Sequence, residues 1–170
     1  MNAIIPGSFA PITLGHINII ERAAKIFDKV FVAVMNNDSA KHDERLSSKT
    51  YTLNIEQRLE LVRASVAHIN NVEAISSEGM LIDLCDDINT YIIVKGIRNG
   101  SDLEYEMIHA KWNKEHNNKI ETIFMPCDER FSEISSTLVR DLINSKDFDA
   151  LDDIVSPNAI AIIRTYEDEA

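Results

Sequence analysis

Five short apolar runs recur along this chain, separated by segments with apolar residues at helical spacing, and that alternation restricts the fold more than any other feature. Ala3-Ile4-Ile5, Val30–Met35, Val72–Ile75, Tyr91–Val94 and Ile120–Met125 read as strands. The second is almost continuously apolar, as expected of a strand covered on both faces. Between them the spacing predicts a helix over 16–27, with Ile17, Ile20, Ala24 and Phe27 on one side. Asn54, with Gln57 three residues later, reads as the cap of a second helix that turns Leu59, Val62, Val66 and Ile69 inward. Further helices are predicted from Met80 to Ile88, from Ser101 or Asp102 to about His116, and from a Ser135 or Ser136 cap through Leu142. Ser156-Pro157 opens the last one by the cap-then-proline rule. Strand and helix in alternation give a parallel sheet with helices on both faces. Right-handed crossovers make it an α/β, Rossmann-like doubly wound sheet of five strands. A length of 170 residues suits one domain, 1–170. Such sheets bind ligands beyond the carboxyl ends of their strands, where strand order reverses.

The charge narrows the partners. A net charge of −11 disfavours nucleic acid and anionic membranes. A phosphate site on such a surface must gather its few cations locally, with help from backbone N–H groups. Cys85 and Cys127 form no CxxC pair, which argues against a zinc site and against a disulfide scaffold. No apolar run is long enough to span a bilayer, and no secretory signal is read at the N-terminus. A cytoplasmic protein is expected.

The loop expected after the first strand, Pro6-Gly7-Ser8-Phe9-Ala10-Pro11-Ile12-Thr13-Leu14-Gly15-His16, joins a buried strand to a helix start. Its glycines allow close backbone approach, Ser8 offers a hydroxyl, and His16 sits where N–H groups and the helix dipole favour an anion. A plain glycine turn with a histidine at its end fits these residues as well. Arg98, beside Asn99-Gly100, suits a solvated residue or a two-pronged grip on phosphate. Glu104 and Glu106 suit the first turns of a helix. Ser135 suits a cap, a phosphate seat, or both. Leu81 by default belongs to the core. His42, His68, His109 and His116 match no metal-ligand spacing, so no metal ligand is assigned.

Thr13-Leu14-Gly15-His16 after Gly7-Ser8-Phe9, then Lys95-Gly96-Ile97-Arg98 with Glu104-Tyr105-Glu106-Met107, then Phe131 and Ile134-Ser135-Ser136-Thr137-Leu138-Val139-Arg140, resemble in order and distance the phosphopantetheine adenylyltransferases of the (T/H)xGH nucleotidyltransferase superfamily. The resemblance spans most of the chain and implies transfer of AMP from ATP to 4′-phosphopantetheine, giving dephospho-CoA and pyrophosphate. It implies catalytic roles for His16, Lys49 and Arg98. It implies an ATP site of Ser8, Phe9, His16, Gly96, Ile97, Arg98, Glu106, Phe131, Ser132, Glu133, Ile134, Ser135, Ser136 and Thr137. Ser8, Lys49, Leu81 and Lys95 are implied on the phosphopantetheine side. Mg²⁺, a homohexamer and feedback by CoA are implied with them. These roles suit the chemistry: a phosphate monoester is largely a dianion at neutral pH, so the task is to align two anions and offset charge.

The chain departs from the family pattern in places. Ala10 replaces an aspartate and Lys95 an arginine, which keeps the charge but loses the fork. The segment 36–52 is longer than usual. Counting back from Glu56-Gln57-Arg58 places the substrate lysine at Lys49; counting forward from the strand favours Lys41. The rival readings are a related enzyme acting on nicotinate mononucleotide or with CTP, and a nucleotide-binding module without catalysis. Loss of His16 would have favoured the latter, and His16 is present.

Overall fold

The structure is a computed structural model that describes residues 1–36 and 52–168. Lys41, His42 and Lys49 lie outside the described residues. Strands β1 (Asn2–Gly7), β2 (Lys29–Met35), β3 (Val72–Ser77), β4 (Ile92–Ile97) and β5 (Glu121–Pro126) form one sheet in the order β3-β2-β1-β4-β5. Every pairing is parallel. The order reverses between β1 and β4, so a crevice opens at their carboxyl ends.

Residues alternate between the two faces along each strand. Ala3, Ile5, Val30, Val32, Val34 and Val94 enter one core, packed by α1 (Leu14–Ala24), α2 (Ile55–Val66), α5 (Ser136–Asn144) and α6 (Pro157–Asp168). Ile4, Ala33 and Ile93 enter the other, packed by α3 (Leu81–Asp87). Helix α4 (Gly100–His116) lies along β4 and β5, and Asn113 is its one buried residue. This is the doubly wound sheet that the alternation of runs predicts.

Element ends differ from the sequence reading for definable reasons. Helix α1 starts at Leu14 rather than His16 because Thr13 is its N-cap, and it stops at Ala24. Phe27 is buried in the turn that leads into β2, and Ile19 and Ala23 share the inner face with Ile17 and Ile20. In α2 the inward set includes Leu61 and, unexpectedly, Arg58. Asn99, not Ser101 or Asp102, caps α4. Strand β4 runs on through Lys95, Gly96 and Ile97, which pair with Phe124, Met125 and Pro126. These residues therefore belong to a strand end rather than to a loop. Pro6 and Gly7 likewise extend β1.

Candidate active site

Two cavities occupy the crevice, of about 470 Å³ and 410 Å³. Both are lined by Ser8, His16, Ile19, Gly96, Tyr105 and Glu106, so they meet at the switch point of the sheet. The first chamber adds Phe9, Asn36, Leu81, Lys95, Trp112 and Asn113, among others. The second adds Gly15, Arg98, Asp102, Cys127, Phe131, Ile134, Ser135, Ser136, Thr137 and Arg140.

His16 is the third residue of α1 and closes a capping box. Its backbone N–H donates to Thr13 Oγ1 (3.4 Å), and the Thr13 N–H donates to His16 Nδ1 (3.0 Å). A backbone N–H can only donate, so Nδ1 must be the acceptor and the ring proton lies on Nε2. Phe9 supports the ring edge-on, with centroids 5.2 Å apart. Burial, and after it the charge of Arg98, lowers the His16 pKa to about 4. The imidazole is thus a neutral Nε2–H donor across the ordinary working range. The expected consequence is that its ring shifts in NMR stay flat from pH 8 to about 5 and move only near pH 4. A titration near the ordinary value of about 6.5 would contradict the capped geometry. The sign for stability follows from linkage. Between those two values the unfolded imidazole binds a proton that the folded one refuses, so this contribution to stability is lost as pH falls through that window.

Positive groups cluster despite the chain's acidity. Arg98 reaches the second chamber but is already gripped by Asp102, Nε to Oδ2 at 2.9 Å and Nη2 to Oδ1 at 3.2 Å. That hydrogen-bonded pair raises the Arg98 pKa further. Its free edge is what remains for a ligand. Lys95 Nζ lies 3.1 Å from Glu106 Oε2, where the first chamber meets the second. Arg140 donates to the Ala10 carbonyl (2.7 Å) and to Thr137 Oγ1 (3.0 Å).

The two helix starts are not equivalent. In α1, the Leu14 N–H is taken by the Ile154 carbonyl (2.9 Å) and that of His16 by Thr13, which leaves Gly15. In α5, Ser135 caps through its hydroxyl, accepting from the Leu138 N–H (3.1 Å), and Ser136 donates its hydroxyl to the Pro11 carbonyl (2.8 Å). The N–H groups of Ser136 and Thr137 make no hydrogen bond to the described residues. These N–H groups, rather than the serine hydroxyls, are the donors that the start of α5 has left to offer at the second chamber.

Of the residues singled out in the sequence, Ser8, Phe9, His16, Leu81, Lys95, Gly96, Arg98, Glu106, Phe131, Ile134, Ser135, Ser136 and Thr137 line the joined chambers. Phe9 does so as a buried ring, 2% exposed. Phe131 packs against Gly15, where a Cβ would stand 3.4 Å from the Phe131 Cβ. Ile97, Ser132 and Glu133 line neither chamber. Ile97 accepts the Cys127 N–H through its carbonyl (2.8 Å), and the Ser132 hydroxyl donates to the Glu129 carbonyl (2.9 Å). Sequence reasoning named Arg140, Asp102 and Arg58 without giving them a site role, and passed over Asn113. Arg140 falls one turn after the Ser136-Thr137 start of α5, a spacing that carried the signal. Asn113 had none: it is 8% exposed on a chamber wall, and its carboxamide has no partner among the described residues. No group of three or more metal-ligating side chains exists among the described residues, and no helix there is long and apolar enough to cross a membrane.

Comparison with known proteins agrees with this arrangement. The cytidylyltransferase-like family profile matches residues 4–142. A phosphopantetheine adenylyltransferase of Staphylococcus haemolyticus is 42% identical over 92% of this chain and 90% of its own length. Another from Prochlorococcus marinus strain MIT 9301 is 42% identical over 84% of this chain and 85% of its own. In fold, the chain resembles a structure from Vibrio parahaemolyticus described as a nicotinate-nucleotide adenylyltransferase, with a TM-score of 0.67 over 96% of this chain and 91% of that one at 18% identity. A nucleotidyltransferase sheet with two chambers joined at a capped histidine, and identity of this extent along the chain, place it: the protein belongs to the cytidylyltransferase-like family and, within it, to the phosphopantetheine adenylyltransferases.

Proposed function

We propose that the protein transfers AMP from ATP to 4′-phosphopantetheine, forming dephospho-CoA and pyrophosphate, with ATP in the second chamber and phosphopantetheine in the first. The observation that carries this reading is that the two cavities share one short wall, in which Ser8, His16 and Gly96 stand with Ile19, Tyr105 and Glu106. Two phosphorylated substrates placed in them meet with their phosphates at that wall. A phosphate oxygen of phosphopantetheine attacks the α-phosphorus of ATP; the bond to the bridging oxygen of the β-phosphate breaks, and pyrophosphate leaves. The nucleophile is already anionic, so no general base is required. The Nε2–H of His16 donates to an α-phosphate oxygen as charge builds there. The N–H groups of Ser136 and Thr137, with Arg98 and Arg140, take the β- and γ-phosphates. Lys95 takes the phosphate of the acceptor. Asn113 offers an unpaired amide to a chamber walled also by Leu81 and Trp112, which suits an arm of alternating apolar and amide groups.

Mg²⁺ enters as part of MgATP in this reading. The ion is held well by phosphates and water with few protein carboxylates, and Asp102 and Glu106 are both engaged by cations. Free cysteines suit a reducing cytoplasm. The chain assembles as a homo-oligomer, a hexamer by family pattern. Supporting this, α4 leaves Leu103, Tyr105, Met107, Ile108 and Trp112 exposed, and Ile123 of β5 as well. Ile108→Glu, at a position 68% exposed within the chain, is expected to lower the mass seen by light scattering; an unchanged mass would place the contact elsewhere.

The deciding assay measures pyrophosphate release from ATP with 4′-phosphopantetheine and, separately, with nicotinate mononucleotide, each with and without EDTA and CoA. Turnover with the first acceptor alone, stopped by EDTA and slowed by CoA, is expected. Turnover with nicotinate mononucleotide, or with neither, would overturn the assignment. Lys95→Arg should preserve or lower the phosphopantetheine KM, because a fork grips phosphate better than a point charge. A KM rise of about tenfold would remove Lys95 from that phosphate, since about 1.4 kcal/mol is at stake.

A further inference from the structure

Arg58 lines neither chamber, yet it is 5% exposed and sits beneath the loop that follows β1. Its Nη1 donates to the Ser8 carbonyl (2.6 Å) and to the Met35 carbonyl (3.0 Å), its Nη2 to Asn36 Oδ1 (2.6 Å), and its Nε to the Asn54 carbonyl (3.3 Å). It therefore ties the end of β1, the end of β2 and the cap of α2 to one rigid fork. Among the described residues no carboxylate forms an ion pair with it, and burial lowers its pKa. A buried guanidinium gains little stability from neutral acceptors; an apolar side chain of similar volume would cost less. What the fork supplies instead is orientation.

The orientation has a definite consequence. Across a planar trans peptide the carbonyl and the next N–H point in opposite directions. With the Ser8 carbonyl held by Arg58, which lines neither chamber, the Phe9 N–H is turned away from the guanidinium. Phe9 has φ 44°, a region that non-glycine residues rarely occupy. It is 2% exposed, and its N–H has no partner among the described residues. Buried backbone N–H groups almost always have one. Phe9 lines the first chamber and Ser8 lines both.

We propose that Arg58 is a positioning residue of the anion loop, fixing the Ser8–Phe9 peptide so that the Phe9 N–H donates to a phosphate oxygen where the chambers meet. The proposal rests on the phosphate chemistry proposed above for this site. Through Met35 and Asn36, which also line the first chamber, the same fork sets that wall relative to the anion loop.

The test uses the full chain with ¹⁵N-phenylalanine, as wild type, Arg58→Met and Arg58→Lys. In the wild type, titration with pyrophosphate is expected to move the Phe9 amide proton downfield. In Arg58→Met that response is lost, and kcat falls by about 10- to 100-fold with a smaller change in KM for either substrate. Arg58→Lys falls between, because an ammonium reaches fewer of the acceptors. A merely structural strut would lower the melting temperature and leave the amide response and kcat of the folded enzyme in place. That result, or a Phe9 amide indifferent to pyrophosphate in the wild type, overturns the proposal. If Arg58→Met does not fold, the lysine variant and the wild-type titration decide. Absence of turnover in the wild type would count against the proposed reaction alone, since the amide titration needs only pyrophosphate.

Discussion

Replacing His16 by alanine is expected to lower kcat by about two to three orders of magnitude, the cost of removing one aligned donor from a developing oxyanion. The same change also opens the capping box, because His16 Nδ1 accepts the Thr13 N–H and Thr13 is buried. A stability loss of about 1 kcal/mol should accompany it, too little to explain the rate. His16→Glu separates the two roles. Glutamate is the usual third residue of a capping box, so helix α1 and the melting temperature should be retained. Its carboxylate, however, would stand where two phosphates must meet, and turnover should fall at least as far as in the alanine variant. Steady-state kinetics beside thermal unfolding checks both. An active, stable His16→Glu enzyme would remove the histidine from the chemistry.

Gly96→Val is expected to lower kcat/KM for both substrates by about 100-fold or more, because Gly96 and Ile19 form part of the wall that the chambers share. A Cβ added at Gly96 would stand 3.0 Å from Ile19 Cγ1, and Ile19, 5% exposed, could give way only into the chambers it lines. Overpacking there should cost about 1–3 kcal/mol. Valine is otherwise well suited to a strand, so the variant should fold and the loss should appear as activity. Near-normal kcat/KM would mean that the substrates do not cross this wall.

The three motif blocks are far apart in the chain, and only the sheet brings them together. Thr13 to His16 lies at the start of α1, Lys95 to Arg98 at the end of β4, and Ser135 to Arg140 at the start of α5. The parallel order β3-β2-β1-β4-β5 puts β1 beside β4, and that single adjacency makes one site of the first two blocks. Arg140 and Ser136 then fasten the third block to the anion loop through the Ala10 and Pro11 carbonyls. Because Arg140 holds the Ala10 carbonyl through the backbone, replacement of the family's aspartate by Ala10 leaves that tie intact.

What the sequence determined by itself is whatever depends on local order: the strand and helix periods, the Asn54–Gln57 box, the Ser156-Pro157 start, and the residue types an anion site requires. What only the tertiary structure decided is whatever depends on which groups face one another. In the sequence Arg58 serves only to anchor the count back to Lys49, yet it is buried against three segments. Asn113 reads as one more polar residue of α4, yet it faces a chamber. Ser135 reads as a cap, a phosphate seat, or both; only the structure shows that its hydroxyl caps α5, that the Ser136 hydroxyl is bonded to Pro11, and that the N–H groups of Ser136 and Thr137 have no partner among the described residues. The reason is physical. Periodicity reports which side of an element is apolar, whereas the partner of a polar group is set by chain segments tens of residues away, through distances and directions that no local pattern encodes.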